Sequence, residues 1–102
     1  MATVFDGNDI AYRDWLVANP DGYVLNSWRT PSPSYIVLHR SGCTSVNPAT
    51  GNTKPGGFTE RRYIKVCSSQ IAELQQWARK HGRLDGSFSV QCSKCSRPNP
   101  KV

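Results

Sequence analysis

Apolar positions in this chain come in short bursts separated by turn-forming residues. Asp9 can cap a first helix over about 10–18, with Ile10, Trp15 and Leu16 as its apolar contacts. Asn19-Pro20-Asp21-Gly22 stops that helix and turns the chain. Tyr23 to Trp28 and Tyr35 to His39 read as strands, with the Pro-containing loop Thr30 to Ser34 between them. A long segment from Ser45 to Thr59, rich in Asn, Pro and Gly, reads as an irregular loop. Strand character resumes over Arg61 to Val66. Ser68 or Ser69 then caps a second helix reaching about Lys80, whose Ile71, Leu74, Trp77 and Ala78 fall on one face. Trp77 is expected to anchor the core, and His81-Gly82 to close the helix. Phe88 and Val90 suit a last short strand, and the polar stretch from Ser96 to Val102 a frayed tail. There is no internal repeat and no low-complexity tract.

The 102 residues amount to one domain, and only 37% of them are hydrophobic. With 8 glycines and 7 prolines, the core is thin, and a crosslink or a metal would help it. The longest apolar run, Tyr35-Ile36-Val37-Leu38, is far too short to span a membrane. Residues 1–10 carry Asp6 and Asp9 and no apolar signal region. A soluble, cytoplasmic chain is therefore expected, where thiols stay reduced and the 4 cysteines suggest metal before disulfides.

Cysteine and histidine spacing sharpens that expectation. His39-Arg40-Ser41-Gly42-Cys43 is an H-x3-C, and Cys92-Ser93-Lys94-Cys95 a C-x2-C. Zinc takes four N or S ligands in a tetrahedron, and two close pairs are the usual way to supply them. Arg40 and Lys94 add positive charge that favours thiolate. His39, Cys43, Cys92 and Cys95 are thus the candidate ligands of one structural zinc ion. Other uses of these residues compete: a redox C-x2-C, structural disulfides, or Cys67 in place of His39. Cys67 stands between a strand and a helix cap, where a small buried cysteine is common. His81 reads as a helix-terminal residue.

The order Gly22-Tyr23-Val24-Leu25-Asn26, then His39-x3-Cys43, then Tyr63-Ile64-Lys65-Val66-Cys67-Ser68-Ser69, then Cys92-x2-Cys95 resembles the Ada-type metal-binding domain. That family occurs in the Ada DNA-repair protein and as a module appended to nucleases and competence proteins, often with a His-x3-Cys pair. The resemblance spans roughly residues 22–95. It implies an α+β fold, a small zinc-stabilised sheet with two flanking helices, with ligands His39, Cys43, Cys92 and Cys95. Residues 1–102 then form a single zinc-binding domain: an N-terminal helix extension over 1–21, the Ada-like core over 22–95 and a flexible tail over 96–102. In the Ada protein the first ligand is a cysteine that accepts a methyl group from DNA. His39 stands at that position here, so the resemblance implies the metal site without the methyl transfer.

No paired carboxylates, phosphate-binding glycine loop or nucleophile elbow is present, so a binding module is expected rather than an enzyme. The charge is +6, from 13 Lys and Arg against 7 Asp and Glu. It is unevenly placed: four of the acidic residues (Asp6, Asp9, Asp14, Asp21) precede Gly22, where Arg13 is the sole cation. A basic domain attracts polyanions, nucleic acid first among them and DNA before RNA in view of the resemblance. Arg29, Arg40, Arg61, Arg62 and Lys65, interleaved with Trp28, Tyr35 and Tyr63, make a candidate surface for phosphates and bases. An acidic protein partner is the other expectation, and a nuclease is a further candidate partner.

Overall fold

The computed structural model describes residues 2–43, 46–47 and 58–92. It is an α+β fold in which a five-stranded mixed sheet lies between two helices. In chain order the elements are β1 (Thr3–Phe5), α1 (Asp9–Ala18), β2 (Tyr23–Trp28), β3 (Ile36–Arg40), β4 (Tyr63–Ser68), α2 (Ile71–Lys80) and β5 (Val90–Gln91). The strand order is β1-β4-β2-β3-β5. All neighbours are antiparallel except β3 and β5, which run parallel.

Side chains alternate across a sheet, so the register sorts residues onto its two faces. Leu25, Ile36, Leu38, Ile64 and Val66 share the face covered by Leu74 and Ala78 of α2, with Trp77 and Phe88 packed alongside. Val24 and Cys67 share the other face, which meets Tyr12 and Leu16 of α1 together with Cys43, Val46 and Phe58. A thin apolar supply is thus split into two small cores.

The expected strand over 23–28 is β2, and the expected second helix is α2. β3 and β4 lie one to two residues later than the sequence pattern suggests. Within the expected extension, β1 and α1 join the sheet and core directly: β1 pairs with β4, Thr3 opposite Cys67, and Tyr12 is fully buried. β5 contains Val90 but not Phe88. The expected tail, and the expected loop apart from residues 46, 47, 58 and 59, lie outside the described residues.

The helix ends depart from expectation in instructive ways. Asn8, not Asp9, caps α1, its side-chain oxygen accepting from Ala11 N at 3.0 Å. Asp9 is diverted to a tertiary contact, accepting from Thr59 N at 2.7 Å and from the Thr59 hydroxyl at 2.6 Å. Ile10, expected in the core, is 74% exposed, and Tyr12 takes its place inward. At α2, Ser68 accepts from Gln70 N at 2.9 Å and donates to Glu73 Oε1 at 2.6 Å, although Gln70 occupies the cap position. Gly82, with φ of +104°, lets Arg83 N reach back to Ala78 O at 3.0 Å and closes the helix. Among the described residues no helix is long and apolar enough to cross a membrane.

Candidate metal centre

His39 is the penultimate residue of β3, and its register opposite Val24 puts it on the face that α1 covers. After β3 the chain turns tightly, with Cys43 N donating to Arg40 O at 3.0 Å. Ser41 N donates to Gly22 O at 3.0 Å, and Asn47 Nδ2 to Ser41 O at 2.8 Å, which pins the turn from both sides. Cys43 then folds under the sheet, 4% exposed, and its carbonyl accepts from Val46 N and Asn47 N. Cys92 arrives from the far end of the chain. β5 pairs with β3 in parallel, Leu38 opposite Gln91, and Cys92 N continues the ladder to Leu38 O at 2.9 Å. That register brings Cys92 level with His39, on the same face.

The three donor atoms of His39, Cys43 and Cys92 lie within 4.8 Å of one another. The group is buried apart from the half-buried Cys92, and it can hold a metal ion. The Cys43 and Cys92 sulfurs are 3.8 Å apart. A disulfide would hold them at about 2.05 Å. Two thiolates on one tetrahedral zinc, each about 2.3 Å from the ion, would sit about 3.8 Å apart. Burial, with the Lys65 charge adding to it, pushes the His39 imidazole down to about 4. A neutral ring is the form that ligates metal.

The four expected ligands therefore divide. His39, Cys43 and Cys92 converge, while Cys95 lies outside the described residues. Cys67 stands apart from the group: it is opposite Val24 on β4, and Val24 in turn is opposite His39 on β3, so a whole strand intervenes. It is fully buried, and burial pushes its thiol up. His81 caps α2 and stacks on Trp77 with ring centroids 3.9 Å apart, in the layer across the sheet.

No protein family, curated protein or solved structure matches this chain.

The candidate nucleic-acid residues also divide. Trp28, Tyr35 and Tyr63 form one aromatic row: Trp28 and Tyr35 stack at 5.0 Å, and Tyr63 meets Tyr35 at 6.0 Å. Arg61 and Arg62 are exposed just before Tyr63. Arg29 pairs with Asp6 and donates to the carbonyls of Thr59 and Arg61, so its guanidinium braces the segment leading into β4. Arg40 is on the opposite face of the sheet, at a recess lined by Tyr23, Leu38, Ile71 and Gln91. Lys65 is only 3% exposed, with its amino group donating to Asn26 Oδ1 and Phe58 O, both at 2.7 Å. Burial lowers that amine to about 8, against the pull of Asp9 and Cys67. The Lys65 charge therefore acts inside the fold and not at the surface, where a phosphate contact would need it. Asn26, which sequence reasoning passed over, links it onward by donating to Tyr35 Oη at 3.0 Å. An amide within a mostly apolar strand, next to Ser27, was its signal.

Proposed function

We propose that this chain is a zinc-stabilised nucleic-acid-binding module that acts by binding rather than by catalysis. Zinc is the metal that best suits one imidazole and two thiolates at the observed sulfur spacing, with Cys95 the fourth ligand from its C-x2-C spacing. In this reading the ion is structural: it ties β3, the turn after it and the chain beyond β5 into one unit. A reducing, cytoplasmic setting goes with thiolate ligands.

The observation that supports the binding function is the aromatic row of exposed Trp28 with half-buried Tyr35 and Tyr63, next to the exposed Arg61 and Arg62, on a chain of net charge +6. The Ada-type resemblance of the sequence is the ground for proposing DNA before RNA, and a context of nuclease, restriction or repair systems. A second reading, a zinc-stabilised protein-interaction domain, draws on α1. Its Ile10 and Val17, two turns apart, are 74% and 78% exposed.

Elemental analysis of the purified protein should return one zinc per chain. Chelation should unfold it, since structural zinc contributes about 10 kcal/mol or more in small domains. Binding of the zinc-loaded protein to labelled DNA should weaken steeply with salt, by about one unit of log-log slope for each phosphate neutralised. Absence of binding to duplex and single strands at low salt refutes the nucleic-acid reading and leaves the protein-interaction one.

A further inference from the structure

Trp28 and Tyr35 are stacked almost in parallel, their planes 5° apart. Trp28 closes β2 in register with Tyr63 of β4, and Tyr35 leads into β3, so two neighbouring strands and the entry to a third contribute one ring each. Trp28 is 42% exposed. Tyr35 covers one face of the indole by stacking on it.

The row is braced from within. Lys65 Nζ donates to Asn26 Oδ1, and the Asn26 amide donates to the Tyr35 hydroxyl, which fixes Tyr35 and through it the plane of Trp28. Rings held in advance lose little side-chain freedom when a ligand docks. The cations are close by in the chain and the ladder. Arg62 O accepts from Arg29 N at 2.9 Å, so Arg61 and Arg62 emerge at the sheet end that carries Trp28. An exposed ring at a sheet end that also carries two exposed arginines suits a ligand with a π-face next to an anionic backbone. In a duplex the faces of the bases are hidden in the stack, and only an unpaired or extruded base can offer one.

We propose that Trp28 is the stacking platform for an unpaired nucleobase of single-stranded DNA, with Arg61 and Arg62 taking the adjacent phosphates. The inference rests on the nucleic-acid reading above and gives it a substrate class. Lys65 and Asn26 are positioning residues, behind the rings and out of reach of the strand.

The test uses zinc-loaded full chain, a labelled oligothymidylate, and a duplex of equal length. The oligothymidylate should quench tryptophan emission, because Trp15 and Trp77 are half-buried and Trp28 is the exposed indole. Trp28→Leu should weaken oligothymidylate binding by about tenfold or more, while leaving the salt slope unchanged. Trp28→Phe, which keeps a π-face, should retain most of the affinity. Arg61→Gln with Arg62→Gln should instead flatten the slope. Zinc content and thermal midpoint check that each variant is folded. If the wild-type chain binds with a steep salt slope but Trp28→Leu binds equally well, the platform is overturned and the broader reading stands. Equal affinity for duplex and single strand also overturns it. If the wild-type chain binds neither, both readings fall together.

Discussion

Replacing Cys67 by serine should leave one metal ion per chain, whereas replacing His39 by alanine should lower that ratio. The sheet register sets the reason. Cys67 is opposite Val24, and Val24 opposite His39, so two interstrand steps separate the cysteine from the histidine. At about 4.8 Å a step, their backbones lie about 9.6 Å apart. The group whose donor atoms lie within 4.8 Å of one another is His39, Cys43 and Cys92, and Cys67 is not in it. The Val24 side chain, with no exposed surface, fills the ground between them. Serine at position 67 puts a hydroxyl into a fully buried apolar cluster, which costs about 1–3 kcal/mol. In a domain of this size that lowers the thermal midpoint by about 5–20 °C. The loss of a structural zinc is worth several times more. The assay is elemental analysis after dialysis against a competing chelator, with thermal melts in parallel. Cys67→Ser should melt earlier but keep its zinc, and His39→Ala should lose zinc. The reverse pattern would refute the argument and put Cys67 in place of His39 among the ligands.

Asp9→Ala should destabilise the zinc-saturated protein by about 2–4 kcal/mol in urea titration, because it strands the amide and hydroxyl of Thr59, which is fully buried. Asp9→Asn should fall in between, and an unmoved midpoint for Asp9→Ala refutes the contact. Stability should also follow Lys65, whose amine is held at about 8 in the fold against 10.5 when unfolded, with Asp9, Cys67, His39, Tyr12 and Tyr63 as its charged or titratable neighbours. In that window the unfolded chain binds the extra proton, so stability rises with pH. Cys67 and Tyr12, both pushed up by burial, oppose it: unfolding lets them ionise above about 9 and 10, which turns the curve down. Wild-type stability should therefore climb from pH 8 and fall at higher pH, and Lys65→Met should abolish the climb. A constant gap between the two across pH 7–10 refutes it.

Segments whose neighbours in sequence decide their fate are legible without the structure. β2 reads as a strand from its β-branched and aromatic residues, and α2 as a helix from its apolar face. β1 is not legible, because three residues carry too little pattern and their partner β4 lies some sixty positions away. The cap of α1 is ambiguous for a related reason. Asn8 and Asp9 are equally good caps, and only the distant Thr59 decides which of them is drawn off. The candidate metal group is legible in the spacing of its residues, and His39, Cys43 and Cys92 converge as that spacing suggests, while Cys95 lies outside the described residues. What brings Cys92 to His39 is the parallel pairing of β5 with β3, a register that no spacing within either motif encodes.

Lys65 shows what sequence reading leaves out most clearly. A lysine in a basic, aromatic-rich segment reads as a phosphate contact, yet β4 is flanked by β1 and β2 and its inner face is closed by Tyr12 and Phe58. An ammonium there loses its hydration, which costs several kcal/mol unless hydrogen bonds replace it. Asn26 and Phe58 O replace part of it, and the rings of Tyr12, Phe58 and Tyr63 lie 5.4–6.0 Å from the charge. A hydrophobic residue would fill the same space at lower cost, but it could not hold Asn26 and, through it, Tyr35. The buried charge thereby links the core beside the candidate metal group to the orientation of the ring row that ends in exposed Trp28. On the proposed reading, metal loss that loosens this core should reach Trp28 through Lys65, Asn26 and Tyr35, so the candidate metal group and the proposed binding surface would be joined by a continuous set of contacts rather than by proximity in sequence.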